Sequence, residues 1–239
     1  MRAVAVVIPA HDEEALIGRC LASVTRAVAH AREREAGLAA TVVVVLDACT
    51  DTTTPQVRRW PVEAVEISAR NVGAARRTGV ARALSSLGSA PEDTWIAMTD
   101  ADTVVPRDWI THQLDLMDAG IDLVLGTVRP DFADLSARHA AYWRATHHRG
   151  RPPGNVHGAN LGVRASTYAE AGGIRDLVAH EDVDLVRAVR ALGARERASD
   201  VHEVETSGRF TGRAPAGYAA FLRRVHDWVD APPLAAPGA

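Results

Sequence analysis

The sequence predicts an α/β protein with a Rossmann-like, mostly parallel central sheet and helices on both faces. Residues 3–8 (AVAVVI) and 41–46 (TVVVVL) are continuous β-branched runs, which are typical of strands buried on both faces of a parallel sheet. Helical stretches with one apolar stripe alternate with such runs, and this order implies right-handed crossovers. A length of 239 residues with 47% hydrophobic side chains is enough for one large domain.

The first half of the chain contains a regular alternation of elements. Residues 13–36 predict a helix, because Leu16, Cys20, Val24 and Val28 form one stripe and Gly37 is a natural stop. The following elements are a short helix at 55–60, a strand at 62–67, a helix at 73–87, a strand at 95–99, a helix at 106–119 with Pro106 in its first turn, and a strand at 122–128.

The pattern changes after Pro130. We expect a helix at 134–148, a Gly- and Pro-rich loop at 150–162, a helix at 182–192, a strand at 201–205 and a helix at 216–229. Residues 231–239 (APPLAAPGA) predict a disordered tail. The organisation expected is therefore one domain over residues 1–230, made of the halves 1–128 and 129–230.

The composition excludes several classes of protein. All 27 basic residues are Arg, so a Schiff-base Lys, a P-loop Lys and a kinase Lys are impossible. A net charge of −3 argues against nucleic-acid binding, and Cys20 and Cys49 form neither a disulfide framework nor a zinc ribbon. The apolar start at 4–8 is too short for a signal peptide and no apolar stretch suits a transmembrane helix, so we expect a cytoplasmic protein.

Acidic residues follow three of the first four predicted strands. Glu13, Asp47 and the pair Asp100 and Asp102 come just after strand ends, where ligands bind in open α/β sheets. A site that gathers these carboxylates would be strongly negative and would suit a metal ion. The two carboxylates of Asp100-Ala101-Asp102 can reach one Mg²⁺ or Mn²⁺ ion, although a turn with a helix cap would also explain them.

Three further features have both a functional and a structural interpretation. Asp47 could accept hydrogen bonds from a nucleobase or a ribose, or it could cap a strand end. Residues 70–77 (RNVGAARR) could form a phosphate or base platform, or a solvated helix face. The pair Glu181 and Asp182 could supply a general base or a helix cap, and the single histidines His157, His180 and His202 are more often structural or solvated.

Six segments in order, covering about residues 3–192, together resemble a family 2 glycosyltransferase of the GT-A fold. The segments are VAVVIPAHDEEALIGRCLASV, VVVVLDACTDTT, RNVGAARRTG, WIAMTDADTVVPRDWI with its D-x-D motif, GANLGVRASTYAEAGGI and HEDVDL, which resembles the E-D-x-D-L motif. His11 and Asp12 stand where an aromatic residue and Asn are usual, and Leu46 replaces an Asp, so the donor identity is left open. The Q-x-x-R-W motif of processive synthases is missing, which indicates a non-processive enzyme.

The resemblance implies metal-dependent, inverting transfer of a sugar from a nucleoside-diphosphate sugar, with UDP-sugars favoured. The acceptor would be a hydroxyl of a small molecule, a lipid-linked molecule or a glycan; peripheral membrane contact is compatible with it, and the oligomeric state is left open. Residues 1–128 would bind the donor and residues 129–230 the acceptor. Asp182 would be the general base and Glu181 would orient a substrate.

The resemblance also implies the remaining site residues. The donor nucleotide would be bound by Pro9, Ala10, His11, Glu13, Asp47, Asn71, Arg76, Asp100 and Ala101. Asp102 and Asp100 would hold Mg²⁺ or Mn²⁺, with His202 as a third ligand. Gly158, Ala159 and Asn160 would form a wall near the transferred sugar, and Arg209 and Arg213 would clamp the diphosphate.

Four rival classes fit the motifs less well. A nucleotidyltransferase usually has a Gly-rich start and a Lys on the phosphates, and both are missing. A HAD-type phosphatase would carry the D-x-D motif on its first strand, and a dinucleotide-binding protein would show G-x-G-x-x-G after it. A catalytically silent sugar-nucleotide-binding module is a further alternative, against which the intact Asp100, Asp102 and Asp182 argue.

Overall fold

Strands and helices alternate along most of the chain in the computed structural model, which describes residues 1–150, 152–212 and 217–230. The strands are β1 Ala3–Ala10, β2 Ala39–Asp47, β3 Glu63–Ile67, β4 Thr94–Met98, β5 Thr103–Val104, β6 Leu123–Pro130, β7 Leu161–Arg164 and β8 Glu196–Thr206. The helices are α1 Ile17–Arg34, α2 Thr53–Val57, α3 Val72–Leu87, α4 Trp109–Asp118, α5 Ala137–Thr146, α6 Ala165–Glu170, α7 Glu181–Ala191 and α8 Tyr218–Asp230. The predicted tail at 231–239 lies outside the described residues.

The strands form one sheet in the order β3-β2-β1-β4-β7-β6-β8-β5. The first four positions are parallel, and β6 and β8 are also parallel. The short strand β7 lies between β4 and β6 and is antiparallel to both, and β5 pairs antiparallel with β8 at the sheet edge. The sheet therefore continues from the first half of the chain into the second through β7.

Helices cover both faces of this sheet, as predicted. Val4, Val6 and Ile8 of β1 pack in a core with α1 and α4, whereas Ala5 and Val7 face a second core built with α3, α6 and α7. Every residue from 3 to 8 is fully buried, which explains why this strand has no polar side chain. Among the described residues, no helix is long and apolar enough to cross a membrane.

Some predicted boundaries were wrong. Helix α1 starts at Ile17 and not at residue 13, because the Glu13 carbonyl accepts the N–H groups of Leu16 and Ile17 in a preceding turn. Pro106 lies before α4, where its carbonyl accepts the N–H of Trp109. Strand β8 is longer than the predicted 201–205, and the end of the predicted loop at 150–162 belongs to β7.

Candidate active site

A cavity of about 1100 Å³ opens at the carboxyl ends of β1, β2 and β4 and extends to α5, α7 and the start of α8. Most of the predicted site residues line it: Pro9, Ala10, His11, Glu13, Asp47, Asn71, Arg76, Asp100, Ala101, Asp102, Gly158, Ala159, Glu181, Asp182 and Arg209. The sheet thus brings together side chains from both halves of the sequence.

Asp47 at the end of β2 organises the neighbouring loop. Its buried carboxylate accepts the backbone N–H groups of Arg70, at 2.8 Å, and Asn71, at 2.7 Å. Arg70 has a left-handed backbone with φ of 48°, so this turn depends on the contact. Asn71 in turn caps α3, because its side chain accepts the N–H of Ala74 at 3.0 Å. Asp47 and Asn71 therefore line the cavity and also fix the start of α3.

The loops after β1 and β2 are also tied to each other. His11 Nδ1 lies 2.6 Å from the Asp47 carbonyl oxygen, so Nδ1 carries the hydrogen and donates it. The Asp12 carboxylate accepts the N–H of Thr50 at 2.6 Å, and this hydrogen bond holds the pKa of Asp12 below its usual value. These contacts shape one wall of the cavity from two parallel strand ends.

Asp102 is largely buried and faces a cation of the chain itself. Its Oδ1 accepts the Thr206 hydroxyl at 3.1 Å, and its Oδ2 lies 3.0 Å from an Arg209 nitrogen. Burial and the nearby Asp100 charge raise the pKa of Asp102 to about 6. Arg209 also donates to both Glu13 carboxylate oxygens, at 2.5 and 2.8 Å. Arg209 therefore lies in the cavity beside the D-x-D carboxylates.

Arg76 connects the D-x-D and E-D motifs. One guanidinium nitrogen lies 2.5 Å from Asp100 Oδ1, and the other donates to Glu181 Oε1. Only 4% of the Arg76 side chain is exposed, although the residue borders the cavity. Burial of the Glu181 carboxyl raises its pKa, and the Arg76 charge opposes that effect. Arg76 thus forms a charged trio with these two carboxylates, in which Arg76 and Glu181 are buried and Asp100 is partly exposed.

Asp182 is the second residue of α7 and points its carboxylate at the loop before β7. Its Oδ2 accepts the N–H of Gly158 at 2.8 Å, and its Oδ1 accepts the N–H of Val183 at 2.8 Å. The N-cap position belongs to His180, which has φ of 62° and makes no side-chain capping bond. Asp182 is therefore not the N-cap residue of α7, although its carboxylate accepts one N–H group of the first turn.

The structure does not bring His202 or Asn160 into the cavity wall. His202 Nε2 lies 2.7 Å from Asp108, and its ring lies 4.2 Å from that of His112, so it does not join the D-x-D carboxylates as a third ligand. Asn160 is buried below the wall, where its oxygen accepts the Trp109 indole N–H and its nitrogen donates to two backbone carbonyls. Arg213 lies outside the described residues.

Sequence reasoning missed the far end of the cavity. This end is lined by Trp143, His147, Glu203, Tyr218 and Phe221, together with His157. Trp143 lies in α5, and His147 follows the end of this helix, one turn further along the chain. Their rings stack with the centroids 4.1 Å apart. These residues carry no motif, because single aromatic residues on amphipathic helices usually belong to a core. Only the tertiary packing of α5, β8 and α8 brings them into the same cavity as Asp182.

The carboxylates fit a divalent cation only with help from a ligand. Among the described residues, no group of three or more His, Cys, Asp or Glu side chains is arranged to hold a metal ion. Mg²⁺ is commonly bound by one or two carboxylates together with substrate phosphates, and Asp100 and Asp102 provide such a pair. The raised pKa of Asp102 marks a carboxylate whose charge is poorly compensated. The pair therefore fits Mg²⁺ or Mn²⁺ in company with a phosphate ligand.

Comparison with solved structures identifies the fold. The mannosyltransferase PcManGT from Pyrobaculum calidifontis, solved with GDP-Man and Mn²⁺, superposes with a TM-score of 0.65 at 22% identity over 94% of this chain and 61% of its own. TarS 1-349 from S. aureus gives 0.61 at 13% identity over 87% of this chain and 61% of its own. Glucosyl-3-phosphoglycerate synthase from Mycobacterium tuberculosis, in complex with Mg²⁺ and uridine-diphosphate, gives 0.56 at 19% over 87% and 72%.

These likenesses show a GT-A fold with a curled, mostly parallel sheet, as the sequence predicts. The chain spans 61% of the length of PcManGT and of TarS 1-349. No curated protein matches the sequence. The family model described as "Glycosyl transferase family 2" matches residues 5–178, which include most of β1, all of β2 to β7 and the D-x-D segment. The match covers well over half of the sequence, and the chain belongs to glycosyl transferase family 2.

Proposed function

We propose that the protein transfers a sugar from a nucleoside-diphosphate sugar to an acceptor hydroxyl, with inversion, metal dependence and release after one transfer. The observation that carries this proposal is one cavity that joins the D-x-D carboxylates to the E-D carboxylates through Arg76. A displacement reaction needs a stabilised leaving group and a base near the acceptor, and these two pairs are suited to those tasks.

The donor would lie at the ends of β1, β2 and β4, within residues 1–128. His11, Asp47 and Asn71 would line the nucleoside, while Arg209 would move from Glu13 to the diphosphate. A bound Mg²⁺ or Mn²⁺ would act as a Lewis acid on the leaving diphosphate, and Asp102 with Asp100 would hold it. Solved neighbours carry UDP or GDP-Man, and we favour a UDP-sugar for this chain.

The acceptor would enter from the far end of the cavity, formed by residues 129–230. Asp182 would take the proton of the attacking hydroxyl, because its carboxylate borders the cavity beside Gly158. Glu181 is held by Arg76 and would orient a substrate beside Asp182. Gly158 and Ala159 would then form the wall close to the transferred sugar.

Transfer assays with UDP-, GDP- and dTDP-sugars, each with Mn²⁺ and a panel of hydroxyl acceptors, test the proposal. We expect product formation with one donor class and an inverted anomeric configuration by NMR. Binding without transfer or hydrolysis would support the silent module, and retention of configuration would contradict the direct displacement.

Asp102→Ala tests the metal assignment separately. We expect this variant to lose Mn²⁺-dependent nucleoside-diphosphate binding in calorimetry, because the remaining carboxylate, Asp100, is already paired with Arg76. Asp118→Ala is a suitable control, since that exposed carboxylate pairs with Arg2 away from the cavity. Unchanged Mn²⁺-dependent affinity in Asp102→Ala would remove Asp102 from this role.

A further inference from the structure

The Arg76 guanidinium is deeply enclosed, although the residue borders the cavity. Its side chain is 4% exposed, and its two terminal nitrogens are hydrogen-bonded to Asp100 and Glu181. Its Nε is buried and has no partner among the described residues, so the side chain reaches its surroundings through the two terminal nitrogens that face the carboxylates. The two carboxylates carry more negative charge than the one positive charge of Arg76 can neutralise, so the three side chains together offer a diphosphate no net attraction.

Gly158 adds a third contact to the same guanidinium. A Cβ atom at Gly158 would lie 2.2 Å from both terminal nitrogens of Arg76, so the backbone of Gly158 rests directly against them. The N–H of Gly158 is also the donor to Asp182 Oδ2, at 2.8 Å. Arg76 therefore supports Asp182 through Gly158 as well as holding Glu181, the residue before it.

The helix that carries Arg76 is firmly fixed to the sheet. Asn71 caps its first turn, and Asp47 holds the two N–H groups that precede it. Further along, Gly79 lies close against Val7 of β1. A side chain that projects from such a helix can hold the carboxylates on either side of it in fixed positions.

We propose that Arg76 is a positioning residue that holds Asp100 on the donor side and Glu181 with Asp182 on the acceptor side at a fixed separation. This inference rests on the proposed function. A direct displacement needs the leaving group and the base on opposite faces of the anomeric carbon, and a misplacement of about 1 Å can cost ~100-fold in rate. Arg76 acts through these carboxylates and does not bind the donor.

Two variants disturb this arrangement in different ways. Arg76→Met removes the charge, whereas Gly158→Ala leaves every charge in place and displaces the guanidinium with a methyl group. For both we expect kcat to fall by about 100-fold, and for Arg76→Met, which leaves the sugar wall at Gly158 unchanged, we expect the donor KM to stay close to wild type. Arg164→Met is the matched control, because Arg164 pairs with Asp122 at 3.0 Å and holds backbone carbonyls outside the cavity. It should lose stability and keep its kcat per folded molecule.

Opposite results would overturn the proposal. A raised donor KM with an unchanged kcat in Arg76→Met would show that Arg76 binds the donor. A wild-type kcat in folded Gly158→Ala would show that the guanidinium position is unimportant for transfer. A kcat that falls only in step with the folded fraction, as in Arg164→Met, would reduce Arg76 to a structural ion pair.

A ligand-free experiment separates this inference from the proposed function. We expect Asp100→Asn and Glu181→Gln to shift the denaturant midpoint non-additively, because each carboxylate changes how Arg76 holds the other. The same cycle with Arg76→Met as background should become additive. Additive shifts in the wild-type background would overturn the coupling by Arg76 whatever the enzyme transfers. Failure of every donor to bind, with the non-additivity intact, would overturn the proposed function alone.

Discussion

Asp182 holds both carboxylate oxygens on backbone N–H groups, Oδ2 on Gly158 and Oδ1 on Val183. An asparagine has one oxygen, so it can replace only one of these acceptors and must turn its amide nitrogen toward the other donor. Asp182→Asn therefore changes the loop at Gly158 as well as the basicity of the side chain. This contact could not be predicted from the E-D motif alone.

We predict that Asp182→Asn lowers the transfer rate by ~10²–10⁴, because a positioned base is lost. The unfolding free energy should fall by about 1 kcal/mol through the lost hydrogen bond, while donor affinity stays near wild type. Rapid-mix kinetics, calorimetry and thermal unfolding check these three quantities. Asp184→Asn on the same helix is the control, because that carboxylate pairs with Arg175. Full turnover by folded Asp182→Asn would reject the base assignment.

The raised pKa of Asp102 gives a pH-dependent stability in metal-free protein. Burial raises this pKa from 3.8 to about 6, so the folded state binds the proton more tightly than the unfolded state. Folding favours the neutral form of Asp102, and below about pH 4 the side chain is neutral in both states, so the free energy of unfolding is not reduced there. As the pH rises to about 6, the unfolded state releases the proton first, and the free energy of unfolding falls by up to about 3 kcal/mol.

We therefore expect Asp102→Asn to be more stable than the wild type at pH 8 and to lose this advantage near pH 4. Denaturant unfolding in a chelator at several pH values measures the difference. Adding Mn²⁺ with a nucleoside diphosphate should restore the wild type at pH 8 and leave the variant unchanged. An equal difference at pH 4 and pH 8 would show that the Asp102 charge does not cause the instability.

Helix α3 packs closely on the sheet at Gly79. A Cβ atom at Gly79 would lie 2.5 Å from Val7 Cγ1 and 3.0 Å from Val45 Cγ2. We predict that Gly79→Ala destabilises the protein by about 1–3 kcal/mol, because a well-packed core does not accept an added methyl group. It should also reduce catalysis, since α3 carries Arg76. Chemical denaturation and kcat measure the two effects.

The control for this prediction creates the missing space. Val7→Ala in the Gly79→Ala background should recover part of the lost stability, although Val7→Ala alone removes buried apolar contacts. Gly88→Ala is a second comparison, because Gly88 caps α3 with φ of 59° but has open space around it. Additive losses in the double variant would show that Gly79 and Val7 are not in steric conflict.

Strong hydrophobic patterns explain which elements could be predicted. Strands β1, β2 and β4 are fully or mostly buried, so their sequences are continuous apolar runs. Strand β7 has only four residues with Gly162 in its middle, where a side chain would collide with Gln113 and Trp95. Strand β8 is partly exposed and carries charges along its length, so only its last part appeared as a strand. Such strands are set by tertiary contacts and not by local pattern.

At the scale of the whole molecule, one hydrogen-bonded sheet joins the two predicted halves. Strand β7 comes from the predicted half 129–230 and lies between β4 and β6. Strand β4 belongs to the half 1–128, and β6 crosses the boundary between the two halves. We predict a single cooperative thermal transition, with nucleoside diphosphate and Mn²⁺ shifting the whole transition upward. Ligand at 100 times its Kd would add about 2.7 kcal/mol. Two separable calorimetric transitions, with only one sensitive to nucleotide, would show that the halves are independent domains.

The sequence motifs located most of the cavity wall because those residues follow strands that end at one edge of a parallel sheet. His202 and Asn160 were the exceptions, since the His202 ring packs on His112 beside Asp108 and Asn160 is buried below the wall. The partners of Arg76 and Arg209 were not predictable, because they join residues that lie far apart in the sequence. Long-range ion pairs leave no periodic signal in one sequence.

The placement of β7 also orders the events by which the chain acquires its shape. Met98 of β4 pairs with Leu161, and Thr103 of β5 pairs with Thr206. The three parallel partners β1, β2 and β3 can associate early during synthesis, but the free edge of β4 must wait for a much later segment. Contacts so distant along the chain slow folding, and an unpaired strand edge can recruit other chains in the meantime. A nascent chain halted before residue 161 would therefore display an aggregation-prone edge that the finished protein hides.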